Sequence, residues 1–355
     1  MNASSTRLVA IACLFPWFST AADAAVTLPQ VFSDHMVVQA NCPLPVWGRA
    51  TPGERVVVRF AGQTATSVAN DAGRWSVTLT ELDYNATPQN LRIIASEELV
   101  FKDVVIGEVW LCAGQSNMEW QLKLAHNAQE SLQHCDLPLI RLLHLKGAAR
   151  GDSAEYTTDQ LPRLTPERFC RGKWARCSPK SAADFSAVGF FFGRALHDRL
   201  DVPVGLISPA IGGTPAEAWI CREALADDPK LAPLAEGNWL ENPELEPWCQ
   251  RRAQLNFRRA MDAGDHIPSD DLGPNHSFKV GFMWDAGIKP LIPLAIRGVI
   301  WYQGESNAES AWRVAQHQSI FPRLIHDWRR QWGQGDFACY YLQMPQMGRP
   351  HWPLI

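Results

Sequence analysis

A serine in the motif GQSNM, residues 114–118, is the first candidate for chemistry in this sequence. The motif follows a largely apolar run at residues 104–112, which is typical of a buried parallel strand, and it precedes a predicted helix. A serine at such a junction is exposed at the sheet edge, among backbone N–H groups that can stabilise an oxyanion. Ser116 is therefore a candidate nucleophile. A simpler role as a helix cap is also open on position alone.

A pair of glycines, Gly212 and Gly213, follows a second predicted strand at residues 204–208. Glycines there let the backbone approach a ligand closely and expose its N–H groups. The alternative is a tight turn between strand and helix. The next residues, TPAE at 214–217, match a capping box with proline at the first helical position.

A third loop, WYQGESN at residues 301–307, also comes directly after a predicted strand. The side-chain amides of Gln303 and Asn307 are candidate donors to an oxyanion. A helix cap by Ser306 or Asn307 is an equally good interpretation of the local sequence.

The elements that must position these loops alternate between strands and helices after residue 103. The predicted strands are 104–112, 204–208, 296–302 and 337–342, and the predicted helices include 190–200 and 314–328. Such alternation predicts an α/β fold, a parallel sheet with helices on both faces. In these sheets the site lies at the carboxyl ends of the strands, where all three loops fall.

Residues 25–102 indicate a different architecture. Short apolar runs separated by turn signals predict a small β-sandwich. We therefore expect an accessory domain at 25–102 and the catalytic α/β domain at 103–355.

The N-terminus has the pattern of a secretory signal peptide, residues 1–24. Arg7 precedes a short apolar run, and Ala22-Asp23-Ala24 offers the small residues that signal peptidase recognises. We expect a periplasmic or extracellular protein. Eight of the nine cysteines would remain, which permits disulfides in an oxidising compartment. Cys170 and Cys177 are the pair nearest in sequence, and the sequence allows either a disulfide between them or two free thiols.

The composition excludes some partners. With 46% hydrophobic and 20% charged residues and a net charge of −4, the chain is globular and has no basic field for nucleic acid or anionic membranes. No later segment predicts a membrane helix, and no cysteine or histidine spacing predicts a zinc site. Among fifteen tryptophans, four lie in or near the motifs and suit either sugar stacking or packing: Trp120, Trp219, Trp284 and Trp301.

The three loops together resemble blocks I, II and III of the SGNH hydrolase superfamily, in the form found in sialate O-acetylesterases. GQSNM and WYQGESN stand unbroken, and GGTPAEAW is similar to the second block. The N-terminal VFSDHMVVQ is similar too. The resemblance implies a flavodoxin-like three-layer hydrolase domain preceded by a small β-sandwich. It also implies a serine esterase that removes O-acetyl groups from sialic acids or other acetylated glycans.

By matching position, the resemblance assigns Ser116 as the nucleophile. It implies an oxyanion hole made by the Ser116 N–H, the N–H of Gly212 or Gly213, and a side-chain amide, with Gln303 favoured over Asn307. The reaction would pass through an acetyl-serine intermediate without a metal or organic cofactor. The expected partner is the O-acetylated glycan substrate alone.

The sequence departs from the family in one respect. The family completes its catalytic triad with Asp and His in a DxxH motif near the C-terminus, and no such motif lies in the C-terminal part of this sequence. The triad His and Asp are therefore unassigned, since His276, His326 and His351 lie outside any matching motif. We expect the hydrolase domain at 103–355 to be C-terminally incomplete and the chain as given to be a weak esterase or none. The alternatives are a non-catalytic carbohydrate-binding relative and an SGNH esterase acting on lipid or aryl esters.

Overall fold

The computed structural model describes residues 25–151 and 154–346. The predicted signal peptide lies outside these residues. The strands are β1 (Val37–Gln39), β2 (Leu44–Arg49), β3 (Arg55–Phe60), β4 (Gln63–Val68), β5 (Arg74–Leu79), β6 (Asn85–Ile94), β7 (Glu98–Gly114), β8 (Leu137–His144), β9 (Lys146–Gly147), β10 (Cys170–Arg171), β11 (Trp174–Cys177), β12 (Val204–Ser208), β13 (Ser269–Asp270), β14 (Gly273–Pro274), β15 (Gly298–Tyr302) and β16 (Ala338–Tyr341). The α-helices are α1 (Ser116–Glu119), α2 (Ala128–Gln133), α3 (Pro166–Phe169), α4 (Pro179–Ala182), α5 (Ala187–Leu200), α6 (Arg222–Ala226), α7 (Pro247–Ala263) and α8 (Ala311–Trp332).

The central sheet is built around β7, whose C-terminal half pairs in parallel with β12 on one side and β15 on the other. Strand β8 extends the sheet beyond β12, and β16 extends it beyond β15, both in parallel. Strand β11 closes the β8 edge in the antiparallel direction. The parallel strands stand in the order β8-β12-β7-β15-β16; with β8 set aside as an additional strand, β12-β7-β15-β16 correspond to the first four positions of the flavodoxin-like order. The predicted α/β fold is confirmed.

Alternate side chains of β7 pack in two different hydrophobic clusters, one on each face of the sheet. The three layers are the sheet and the helices that cover its two faces. Trp110 and Cys112 pack in the cluster that contains Phe190 of α5. Val109 and Leu111 belong to the cluster that contains Trp328 of α8. Because successive side chains of a strand point to opposite faces and both faces are covered here, residues 109–113 of β7 form a continuous hydrophobic run.

The N-terminal strands form two packed layers. The antiparallel ribbon β2–β5 lies against a sheet of β3, β4, β6 and the first half of β7. Val46, Val58, Trp75 and Ile93 are buried in their shared core. Strand β7 runs without interruption through residues 102 and 103 and so belongs to both sheets. The division into domains at that point stays a prediction.

One local expectation is wrong. Residues 214–217 do not form a capping box: Ala216–Trp219 is a short 3-10 turn without a side-chain cap, because the Thr214 hydroxyl donates to the carbonyl of Ile211. Of the two possibilities left open for Cys170 and Cys177, the structure has the free thiols, which lie in different hydrophobic clusters.

No helix within residues 25–151 and 154–346 is long and apolar enough to cross a membrane.

Candidate active site

Ser116 lies at the carboxyl end of β7, where the chain turns into α1. Gly114 makes this turn with a φ of 139°, and a Cβ there would lie 2.1 Å from the carbonyl oxygen of Tyr302 on β15. The Gln115 N–H donates to the same carbonyl at 3.0 Å. This contact fixes the loop against β15 and leaves Ser116 exposed. Among the described residues, none hydrogen-bonds the hydroxyl or the amide N–H of Ser116.

Gly212 lies directly beside Ser116, because a Cβ on Gly212 would be 3.6 Å from the Cβ of Ser116. The Gly212 N–H is already engaged: it donates to Oε2 of Glu119 at 2.7 Å. Glu119 also pairs with Arg150, whose Nη1 lies 2.9 Å from Oε1. The predicted second loop thus lies next to the serine, but the N–H of Gly212, one of its two candidate donors, is already bonded to Glu119.

Gly213 is the other candidate donor. Its φ of 80° is unfavourable for residues with a side chain, and a Cβ there would lie 2.5 Å from the ring of Phe278. Its carbonyl accepts from the Ser306 hydroxyl at 2.9 Å, which ties this loop to the third one. In the part of the chain that the structure describes, the Gly213 N–H has no hydrogen-bond partner.

The amides of Gln303 and Asn307 join the second and third loops. Nε2 of Gln303 donates to the carbonyl of Thr214 at 3.2 Å and to Oδ1 of Asn307 at 2.7 Å. Asn307 also accepts from the Ala216 N–H at 2.9 Å and donates to Glu217 at 2.8 Å. Both residues are buried. Their role as oxyanion donors stays a prediction, because in this structure the amides hold the loops in place.

We expect Gln303→Ala to lower kcat for ester hydrolysis by about 10²–10³, the usual loss for one oxyanion donor. Asn307→Ala should lower kcat less but destabilise the fold more, because it removes the donor to one oxygen of Glu217 and leaves the Ala216 N–H without its acceptor. Steady-state kinetics and thermal unfolding of both variants test this. A larger kcat loss for Asn307→Ala would reassign the donor.

A buried ion pair supports the three loops. Arg313 of α8 and Glu217 are both essentially inaccessible to solvent, and the guanidinium donates to the carboxylate. The Nε of Arg313 also lies 3.9 Å from Oε2 of Glu246. Because Asn307 donates to the other oxygen of Glu217, this pair connects α8 to the third loop.

Glu305 links the third loop to the serine loop. Its Oε1 accepts from the side-chain amide of Asn117, the residue after Ser116, at 2.6 Å. Its Oε2 is buried and has no partner in the described part of the chain. Burial raises the pKa of this carboxyl from its ordinary value of 4.5 to about 7.

This pKa predicts a pH-dependent stability. An acid whose pKa is raised on folding binds its proton more tightly in the folded state, so stability falls as pH rises from about 4.5 to about 7. The fall amounts to at most about 3 kcal/mol for a shift of this size. We expect Glu305→Gln, which keeps the acceptor for Asn117, to be more stable than the parent at pH 7.5 but not at pH 4.5. Urea unfolding at both pH values measures it, and an equal effect at both would exclude Glu305 as the source.

The histidines considered from the sequence do not complete the site. His276 is fully buried among Tyr156, Asn256 and the Phe278 N–H, which occupy both ring nitrogens. Burial lowers the pKa of His276 to about 3. His326 is exposed on α8. His351 lies outside the described residues.

The base of the reaction is therefore not identified in the described ranges, where no histidine hydrogen-bonds Ser116. The same ranges hold no cluster of three or more His, Cys, Asp or Glu side chains suited to a metal ion.

Of the four tryptophans near the motifs, three pack in the core: Trp219, Trp284 and Trp301 are buried. Trp120 is different, because it follows α1 four residues after Ser116 and is 51% exposed. Its backbone carbonyl is held by the Ala187 N–H at 2.8 Å. One exposed aromatic side chain therefore lies four residues along the chain from the candidate nucleophile.

Sequence reasoning did not identify Glu119, Glu305 and Glu217 as parts of the site. All three lie within or beside the three motifs, and this position in the sequence is the signal that could have indicated a role in the site. Their partners are far away in sequence: Arg150 for Glu119, Asn117 for Glu305 and Arg313 for Glu217.

Comparison with known proteins finds similar esterases. Residues 285–355 match the family described as carbohydrate esterase, sialic acid-specific acetylesterase. The sialate O-acetylesterase of Mus musculus is 31% identical over 307 residues, 82% of this chain and 53% of the relative. The Homo sapiens protein of that name is 28% identical over 338 residues, 91% of this chain and 56% of the relative. The chain thus spans about half the length of the curated relatives it matches.

Among solved structures, a carbohydrate acetylesterase from Xanthomonas citri is similar, with a TM-score of 0.65 and 27% identity over 90% of this chain and 60% of that one. The sheet order and the serine loop define an α/β protein with an SGNH-like hydrolase fold. Within that class, the chain belongs to the sialate O-acetylesterase family.

Proposed function

We propose that the protein is a serine esterase that removes O-acetyl groups from glycans, with acetylated sialic acids among its substrates. One observation carries the proposal: an exposed serine without a hydrogen-bond partner in the described residues stands beside Gly212 at the carboxyl edge of the sheet. The similar proteins are a sialate O-acetylesterase and a carbohydrate acetylesterase, and they support acetylated sugars as the substrate class.

In the proposed reaction, Oγ of Ser116 attacks the acetyl carbonyl carbon while a base takes the hydroxyl proton. The carbonyl oxygen becomes an oxyanion, for which the unbonded N–H groups of Ser116 and Gly213 are the best-placed backbone donors. The bond to the sugar oxygen then breaks, and the sugar leaves as an alcohol with that proton. Water hydrolyses the acetyl-Ser116 ester to acetate and restores the serine.

The reaction would take place outside the cytoplasm, in the periplasm or the extracellular space. The signal-like segment at residues 1–24 supports this location.

The test is ester hydrolysis by the full protein encoded by the gene: acetate release is measured with O-acetylated sialic acid and an acetylated plant glycan, and phenol release with a long-chain aryl ester. Release from the sugars at much higher kcat/KM than from the aryl ester supports the proposal. Preference for the aryl ester would make the protein an esterase of a different kind.

A second candidate is a carbohydrate-binding relative without catalysis. It is favoured by one observation: no base hydrogen-bonds Ser116 among the described residues. Binding of acetylated sugar, measured by calorimetry, without any acetate release would support it.

Trp120 is expected to contribute to substrate binding, because an exposed indole beside the nucleophile can stack on a sugar ring. We expect Trp120→Ala to raise KM for an acetylated glycan several-fold while kcat for a small acetyl ester changes little. Leu200→Ala is the matched control, since Leu200 is 48% exposed at the end of α5, next to the amino end of β12. Equal effects of the two substitutions would exclude a sugar contact at Trp120.

A further inference from the structure

Two cysteines that are distant in sequence meet beside the hydrolase sheet. Cys135 follows α2, and Cys177 ends β11. The backbone brings them together: Cys177 pairs with Leu137 in the β11–β8 ladder, and the Leu137 N–H donates to the carbonyl of Cys135 at 2.9 Å. The Cys135 thiol donates to the carbonyl of Leu132 at 3.2 Å, and the two thiols are close enough to influence each other's pKa. Both residues are fully buried in the same hydrophobic cluster.

The other described cysteines have different surroundings. Cys221 donates to the carboxylate of Glu223, and Cys249 lies 4.0 Å from the carbonyl of Gly213. Cys170 lies in the cluster on the opposite face from Cys177. Within residues 25–151 and 154–346, Cys135 and Cys177 are the two cysteines whose thiols influence each other's pKa.

We propose that Cys135 and Cys177 are joined by a disulfide when the protein folds in an oxidising compartment. The two thiols lose two protons and two electrons, and an external disulfide, such as that of an oxidoreductase or of oxidised glutathione, is reduced to two thiols. The bond forms during folding, because burial raises the pKa of both thiols and closes them to reagents once the core is packed. The inference goes beyond the proposed esterase activity and depends only on the proposed export.

The disulfide would affect the site because it closes a chain segment that contacts the second motif loop. The loop between Cys135 and Cys177 contains Arg150, which pairs with Glu119, and Glu119 holds the Gly212 N–H. Closing this loop lowers the entropy of the unfolded chain and so stabilises the segment that holds the second motif in place.

The test is refolding of the protein from denaturant in a mixture of reduced and oxidised glutathione, followed by alkylation of free thiols and peptide mass spectrometry without reduction. We expect one cross-linked pair of peptides, containing Cys135 and Cys177. Adding a reductant before refolding should lower Tm by on the order of 5–10 °C. Full alkylation of both residues in correctly refolded protein, or a cross-link to another cysteine, overturns the proposal.

Cys177→Ser and Cys170→Ser form a matched pair of variants. Cys170→Ser should keep the cross-link and the response of Tm to reductant, whereas Cys177→Ser should lose both. Peptide mapping of the unsubstituted protein decides the question even if Cys177→Ser does not fold. Loss of the cross-link in Cys170→Ser alone would assign the bridge to Cys170.

Discussion

Ser116→Ala is expected to abolish nearly all acetate release by the full protein encoded by the gene. The nucleophile, its base and the oxyanion donors act as a unit, and removing the nucleophile of subtilisin costs about 10⁶ in kcat. We expect a loss of several orders of magnitude with little change in KM. Stability should change by less than about 0.5 kcal/mol, because the exposed Ser116 hydroxyl has no partner among the described residues.

Ser76→Ala, at an exposed serine of β5, is the control and should leave kcat unchanged. A second measurement looks for the intermediate directly: mass spectrometry after acid quenching should find one added acetyl group on the peptide that contains Ser116. The assignment is wrong if Ser116→Ala keeps most of its activity. If neither protein releases acetate but both bind the acetylated sugar, the carbohydrate-binding alternative is correct.

The sheet could be predicted because its strands are marked locally. Strand β7 is buried on both faces, so Val109, Trp110, Leu111 and Cys112 give an unbroken apolar run. The motif glycines are equally visible, since Gly114 and Gly213 have backbone conformations that other residues adopt only with strain. Where the chain turns sharply at the end of a strand, a glycine in the sequence therefore indicates the turn.

The charged part of the site could not be predicted in the same way. Asp327 directly follows the exposed His326 on α8, but it is fully buried and accepts from the Cys221 N–H at 3.1 Å. The reason is general: a charged residue is read as surface unless its partner is known, and here Glu217 and Arg313 are 96 positions apart. Pattern reasoning therefore finds the loops but misses the pairs that hold them together.

The thiol partner of Cys177 was missed for a similar reason. Sequence distance favours Cys170, but Cys170 lies on β10, outside the β11–β8 ladder, and packs in a different hydrophobic cluster from Cys177. Only the pairing of Cys177 with Leu137 brings Cys135 within reach.

The second large effect concerns stability. Arg313→Met is expected to destabilise the fold by about 3–5 kcal/mol, the usual cost of removing one partner of a buried ion pair. The methionine fills much of the space, but it leaves the carboxylate of Glu217 buried beside that of Glu246 without a positive charge. Because Glu217 holds Asn307, and Asn307 holds Gln303, activity should fall together with stability. Urea unfolding and acetate release on the same samples measure both.

The control is Arg92→Met, which breaks an ion pair with Glu98 in which both side chains are more than 40% exposed. An exposed pair of this kind contributes at most about 1 kcal/mol, so unfolding of Arg92→Met should be close to that of the parent. Adding Glu217→Gln to Arg313→Met removes one of the uncompensated charges and should recover part of the lost stability. If Arg313→Met unfolds no more easily than Arg92→Met, the buried pair does not support the loops, and the hydrogen bonds of Asn307 and Gln303 must hold them without it.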